Sequence, residues 1–272
     1  MVRYLNALTA TGLLAVAACQ TAPEPHAGFL TSYEGLERKS GTIRASIRQR
    51  RDDAEAATLE RVFIEPSLLV GDAAPHLKEG EQQAVLREID RQICYEVSER
   101  FTVLSEAAPD AARIRAGVTR IDPTGTAGSA ASAAVNYFIP GPLGVRVPGS
   151  TGGLAVETEL LAPGSGRQVA ALLWARNATA VGMDDPSLSR VGDALQFAEP
   201  LGDAVGDAFS PPDRKPREIA KPDPCEGFGP RFNAGGMVAG GLVGMATGLY
   251  VPELDRARPA AAAPTEPAPA PR

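Results

Sequence analysis

An α+β fold, a mostly antiparallel sheet covered by helices on one face, is what this sequence predicts, and three stretches carry the prediction. Residues 112–119 alternate strictly. Ala112, Ile114, Ala116 and Val118 face one way, Arg113, Arg115 and Thr119 the other, as in a half-buried strand. Residues 78–101 place Val85, Leu86, Ile89, Ile93 and Val97 within one arc at 3.6 residues per turn, the mark of an amphipathic helix. "LAVETELLA" and "RQVAALLWA" flank "PGSG", which reads as two strands joined by a turn whose glycines permit positive φ.

The remaining elements follow in chain order. Residues 28–41, "GFLTSYEGLERKSG", carry isolated aromatics, Phe29 and Tyr33, without helical or strand periodicity; an extended lead-in packed against the domain is expected. "IRASIRQRR" is followed at once by "DDAEAATLE", and the pair reads as a solvated segment of mixed charge. "LERVFIEPSLLV" contains the first strand, with Val62 and Ile64 on one face and Pro66 at its end. Past the alternating strand, residues 123–153 form a Gly- and Ala-rich excursion interrupted by "VNYFIPGPLGVRVPG". Asp184, Asp185 and Pro186 read as the start signal of a helix over 187–209, which Pro200 divides or kinks. Residues 210–233 are too proline-rich to build a core, and the tail 252–272 is low-complexity and expected to be disordered.

The N-terminus predicts location. One basic residue, Arg3, precedes an apolar run too short to span a bilayer, which is the pattern of a secretion signal over residues 1–18. The signal ends in "VAAC", with small Ala17 and Ala18 before Cys19, similar to the lipobox of bacterial lipoproteins. Cys19 is the expected lipidation site: its thiol takes the diacylglycerol, and two or three acyl chains hold a protein on a membrane far more firmly than one. Gln20, in place of an Asp, favours sorting to the outer membrane, so the expected setting is that membrane's periplasmic face, with residues 19–27 as tether.

Losing Arg3 with the signal moves the formal charge from −6 to −7, and so acidic a chain is a poor non-specific nucleic-acid binder. With Cys19 acylated, Cys94 and Cys225 remain in an oxidising compartment, where two leftover thiols are expected to pair. Cys94 lies at the border of the helical apolar arc, where a partly accessible thiol would sit.

"GFLTSYEGL" soon after the lipobox cysteine, "RIRAGVTRID" and "VETELLAPGSGRQVAALL" together resemble the bacterial lipoproteins grouped as domain of unknown function 3313. The resemblance spans residues 28–209. It implies an envelope lipoprotein domain and no activity or catalytic residue.

No catalytic constellation stands out, and an enzyme is not expected. His26 and His76 are isolated and read as solvent-exposed, and no Cys/His cluster has metal-ligand spacing, so neither metal nor cofactor is expected. Ser165 in "PGSGR" lacks the spacing of a nucleophile elbow and reads as a turn serine. Glu157 and Glu159 share one strand face and read as solvated side chains rather than a glycosidase pair. The apolar segment 234–251 sets Gly236, Gly240, Gly244 and Gly248 four apart, a helix groove for another backbone in lipid, or else a flexible linker. The function expected is a non-catalytic, lipid-anchored assembly or binding accessory. Its partners are outer-membrane lipid and either an envelope protein or a second copy. A membrane-inserting oligomer built through the glycine repeat is the alternative, and an envelope hydrolase the third reading.

Overall fold

The computed structural model describes residues 26–42, 44–138, 144–182, 184–228 and 249–250. Cys19 and all four glycines of the repeat lie outside these residues. The elements are β1 (Glu37–Arg38), β2 (Ala45–Arg51), α1 (Asp53–Thr58), β3 (Arg61–Ile64), β4 (Leu68–Leu69), α2 (Glu79–Ser98), β5 (Thr102–Leu104) and β6 (Ala112–Asp122). They continue with α3 (Thr126–Asn136), β7 (Gly144–Val145), β8 (Gly153–Leu161), β9 (Gln168–Asn177), β10 (Val181–Gly182) and α4 (Gly192–Phe209).

Eight strands form one mixed sheet in the order β1-β2-β9-β8-β6-β3-β5, with β4 also paired to β6. The long pairings, β2 to β9, β9 to β8 and β8 to β6, are all antiparallel. Parallel pairing is confined to short strands at one edge, where β3 and β5 are joined by a crossover through α2. The α+β class and the helical cover on one face agree with the sequence.

Helix α2 starts where Glu81 reaches back to accept from the Lys78 amide at 2.8 Å, and Glu79 and Glu81 complement the N-terminal end of the helix dipole. It buries Val85, Leu86, Ile89, Ile93 and Val97, the arc read from the sequence. Ile89 and Ile93 join Ile114, Leu160, Leu172, Trp174, Phe197 and Leu201 in one core between helices and sheet. Gly202 lets α4 approach α2: a Cβ there would stand 2.8 Å from the Gln92 carbonyl oxygen.

Several expectations are corrected. The arginine-rich run is no solvated segment but β2, which buries Ile47 opposite Trp174 while Arg48 and Arg50 point to the other face. The excursion contains α3. Helix α4 begins at Gly192 rather than near Asp184. Asp184 pairs with Arg176, and the Asp185 carbonyl accepts from Arg146 and from Gln196. Pro200 sits inside α4 without ending it, at the cost of one backbone hydrogen bond. Finally, Tyr250, near the end of the glycine-repeat segment, is not helical; its amide donates to the Pro186 carbonyl at 2.8 Å and it bridges to Ser187.

Candidate functional site

The sheet face opposite α2 and α4 is where the charged side chains gather. Register places Gly117, Glu157 and Leu173 in one row across β6, β8 and β9, and Arg115, Glu159 and Ala171 in the next. Alternation along a half-buried strand would leave this face in water. Instead both glutamates are fully buried, at 1% and 0% exposure, which corrects the reading of them as solvated. Residues 27–36 lie across them as a strap.

The strap is bound through carboxylate oxygens. Glu157 accepts from the Ala27 amide (2.8 Å) on Oε1, and from the Phe29 amide (3.3 Å) and the Tyr33 hydroxyl (2.5 Å) on Oε2. Glu159 accepts from the Thr31 amide (2.8 Å) and Gln168 (2.8 Å) on Oε2, and from the Thr31 hydroxyl (3.1 Å) and Arg115 (2.9 Å) on Oε1. Charge-assisted bonds of this kind are about twice as strong as neutral ones. Leu30 packs on Ala171 and Leu173, and Arg115 lies over the Phe29 ring, 4.9 Å from its centroid. Gly117 makes the seat for that ring, since a Cβ there would come within 2.6 Å of it. Burial, and next the bond to Glu157, push the Tyr33 hydroxyl above its usual pKa. Every carboxylate oxygen is occupied, so neither glutamate is presented to a substrate.

Glu157→Ala is expected to free the Ala27 and Phe29 amides and the Tyr33 hydroxyl together. Hydrogen exchange at 27–33 should rise at least about tenfold, given the worth of bonds to a charged group, while α2 keeps its protection. The raised Tyr33 pKa adds a sign. The protonated phenol is favoured in the folded state, so its contribution is complete below the unfolded value and is lost as pH rises through the folded one. Strap protection should therefore fall at alkaline pH in the wild type and lose that dependence in Tyr33→Phe.

A second buried polar cluster braces one end of the sheet. Arg146 and Asp193, both essentially without solvent exposure, meet through Nη1–Oδ1 and Nη2–Oδ2 contacts of 3.0 Å. The Gly152 amide also donates to Asp193 Oδ2 (2.6 Å), and Arg146 Nε donates to Ser150 Oγ (3.3 Å). Thr124 Oγ1 accepts from the Asp193 amide at 3.0 Å. Residues from across the excursion are thus tied to the first turn of α4, where a carboxylate also suits the helix dipole.

Cys94 and Cys225 are joined by a disulfide, as the sequence led us to expect. Cys94 is buried rather than partly accessible, because the proline-rich extension covers it. The Arg217 amide donates to the Glu99 carbonyl (2.8 Å), and Arg214 lies 4.6 Å above the Phe101 ring. His26 is exposed but stacks on Tyr33 at 4.1 Å, and Ser165 is exposed in the β8–β9 turn, where its hydroxyl accepts from the Arg167 amide. Among the described residues no group of three or more His, Cys, Asp or Glu could hold a metal ion, and no helix is long and apolar enough to cross a membrane.

Sequence reasoning missed the strap's glutamate anchors and the Arg146–Asp193 pair. A signal for the first was available: "VAALLWA" in β9 scarcely alternates, and a strand apolar on both sides is covered on both sides. The second pair is 47 residues apart and carries no local pattern.

No curated protein matches the chain. Among solved structures, a dodecamer of PelC from Paraburkholderia phytofirmans is 11% identical, with 64% of this chain and 99% of that chain covered and a TM-score of 0.37. A dodecamer of a single-substitution variant of the same protein is 10% identical, covers 62% of this chain and 99% of its own, and has the same score. Likeness that loose bears on neither function nor assembly. The family model described as "Protein of unknown function (DUF3313)" matches residues 25–205, most of the chain, from just before the strap to within α4. The chain belongs to the DUF3313 family.

Proposed function

We propose that the protein is a non-catalytic lipoprotein on the periplasmic face of the outer membrane, held through acylated Cys19 and acting as an assembly or binding accessory of the envelope. The strap is the observation that carries this reading. The segment that follows Cys19 is bound across the sheet from Ala27 onward, so a lipid on Cys19 would hold the folded domain within the tether's reach of the membrane. The intervening residues, 20–26, span at most about 25 Å. A binding role is supported over a hydrolytic one by Glu157 and Glu159, whose oxygens are spent on the strap. The disulfide suits an exported chain.

Cys19→Ser tests the reading by membrane fractionation. The variant is expected in the soluble periplasmic fraction with its fold intact, because Cys19 lies before the strap. Retention of the variant with membranes, processed at the same bond as wild type, would contradict it.

A further inference from the structure

The sheet end at which Asp122, Gly153 and Asn177 pair carries an exposed apolar cap. Tyr137 and Phe138, just past α3, are 77% and 80% exposed, and their rings meet edge-on at 5.3 Å. Val135, Val145 and Val181 stand out beside them, and the cap is one unit. Asn136 Oδ1 accepts from the Val145 amide at 2.8 Å, and Val145 pairs with Val181. It is also tied to the domain: the Arg146 amide donates to the Ala180 carbonyl at 2.7 Å, and the Ala178 amide to the Gly152 carbonyl at 2.9 Å. Among the described residues, 123–138, 144–145 and 177–182 contain no Asp, Glu, Lys or Arg, in a chain that is 22% charged. A contiguous, uncharged, aromatic-tipped surface on a soluble domain marks an interaction site.

The strap indicates what the cap meets. The Thr31 amide binds Glu159 and the Ala27 amide binds Glu157, two residues nearer Gly153 along β8. From Thr31 back to Ala27 the chain therefore runs along the sheet toward the end that carries the cap. From Glu157 to Gly153 is about 13 Å along the strand, well within the reach of the tether. We propose that the cap seats in the lipid surface of the membrane that holds Cys19, as a second contact that fixes the domain's orientation on the bilayer. This rests on the anchoring reading. Tyr and Phe side chains suit the boundary between headgroups and acyl chains. With no charge on the cap, the contact requires no anionic lipid and is insensitive to salt, unlike an electrostatic contact.

The test uses the acylated full-length protein in phosphatidylcholine vesicles doped with a phospholipid that carries a photoactivatable diazirine on its acyl chain. Peptide mapping after illumination is expected to find the label on the peptide holding Tyr137 and Phe138, equally at about 0.05 and 0.5 M salt. In Tyr137→Ser/Phe138→Ser, whose side chains lie outside the core, label there should fall at least about tenfold while the protein still floats with the vesicles. Vesicle-bound wild type with an unlabelled cap overturns the proposal. So does a lipid-free dimer of the Cys19→Ser protein that the double substitution dissociates, which assigns the cap to a second copy of the chain. Absence of acyl mass on Cys19 defeats the anchoring reading and the proposal together, whereas an anchored protein with an unlabelled cap defeats the proposal alone.

Discussion

Arg146→Met is expected to cost about 3–5 kcal/mol of folding stability, the usual penalty for removing one partner of a buried ion pair. The Asp193 carboxylate would keep the Gly152 amide and lose both guanidinium contacts, with no solvent in reach. The loss should be felt beyond the pair itself. Arg146 also reaches the Ser150 carbonyl and hydroxyl and the Asp185 carbonyl, so residues 123–152 would loosen from the first turn of α4. Chemical denaturation measures the cost, and hydrogen exchange should place the new mobility in α3 and β7. The double variant Arg146→Met/Asp193→Leu should be less destabilised than the single one, because it leaves no buried charge unpaired. Additive losses would show that packing, rather than the ion pair, holds this end of the sheet.

Cys225→Ser is expected to lower stability by about 2–5 kcal/mol. The bond closes a loop between residues 131 apart, so its absence restores much freedom to the unfolded chain. In the folded chain the extension would keep the Arg217 and Arg214 contacts but lose its covalent hold on α2. Limited proteolysis under non-reducing conditions should therefore cut within 211–228 in the variant and spare that stretch in the wild type. Equal resistance of the two would mean that the non-covalent contacts suffice.

The parts of the fold legible in the sequence were those whose pattern is local. The alternation in β6, the apolar arc of α2 and the glycine turn between β8 and β9 each signal themselves within about a dozen residues. Strand β2 escaped because only Ile47 among its interior residues is a large apolar side chain on the core face; the arginines beside it look like surface. Helix α3 escaped because Gly, Ser and Ala give it no apolar stripe. The buried glutamates escaped for a different reason: what covers them is nearly 130 residues away in sequence, and the strap shows no periodicity of its own. Parallel pairing of β3 with β5 and β6 was likewise a matter of topology, set by the crossover through α2 rather than by the strands' own residues.

The proposed function rests on Cys19 as the acylated N-terminus of the mature chain, ahead of the strap that begins at Ala27. Intact mass spectrometry of the mature protein, extracted from membranes in detergent, tests it most directly. The expected chain begins at Cys19 and carries a diacylglycerol on its thiol, with further acyl mass on its amine. A chain that begins elsewhere, or that begins at Cys19 with an unmodified thiol, would contradict it.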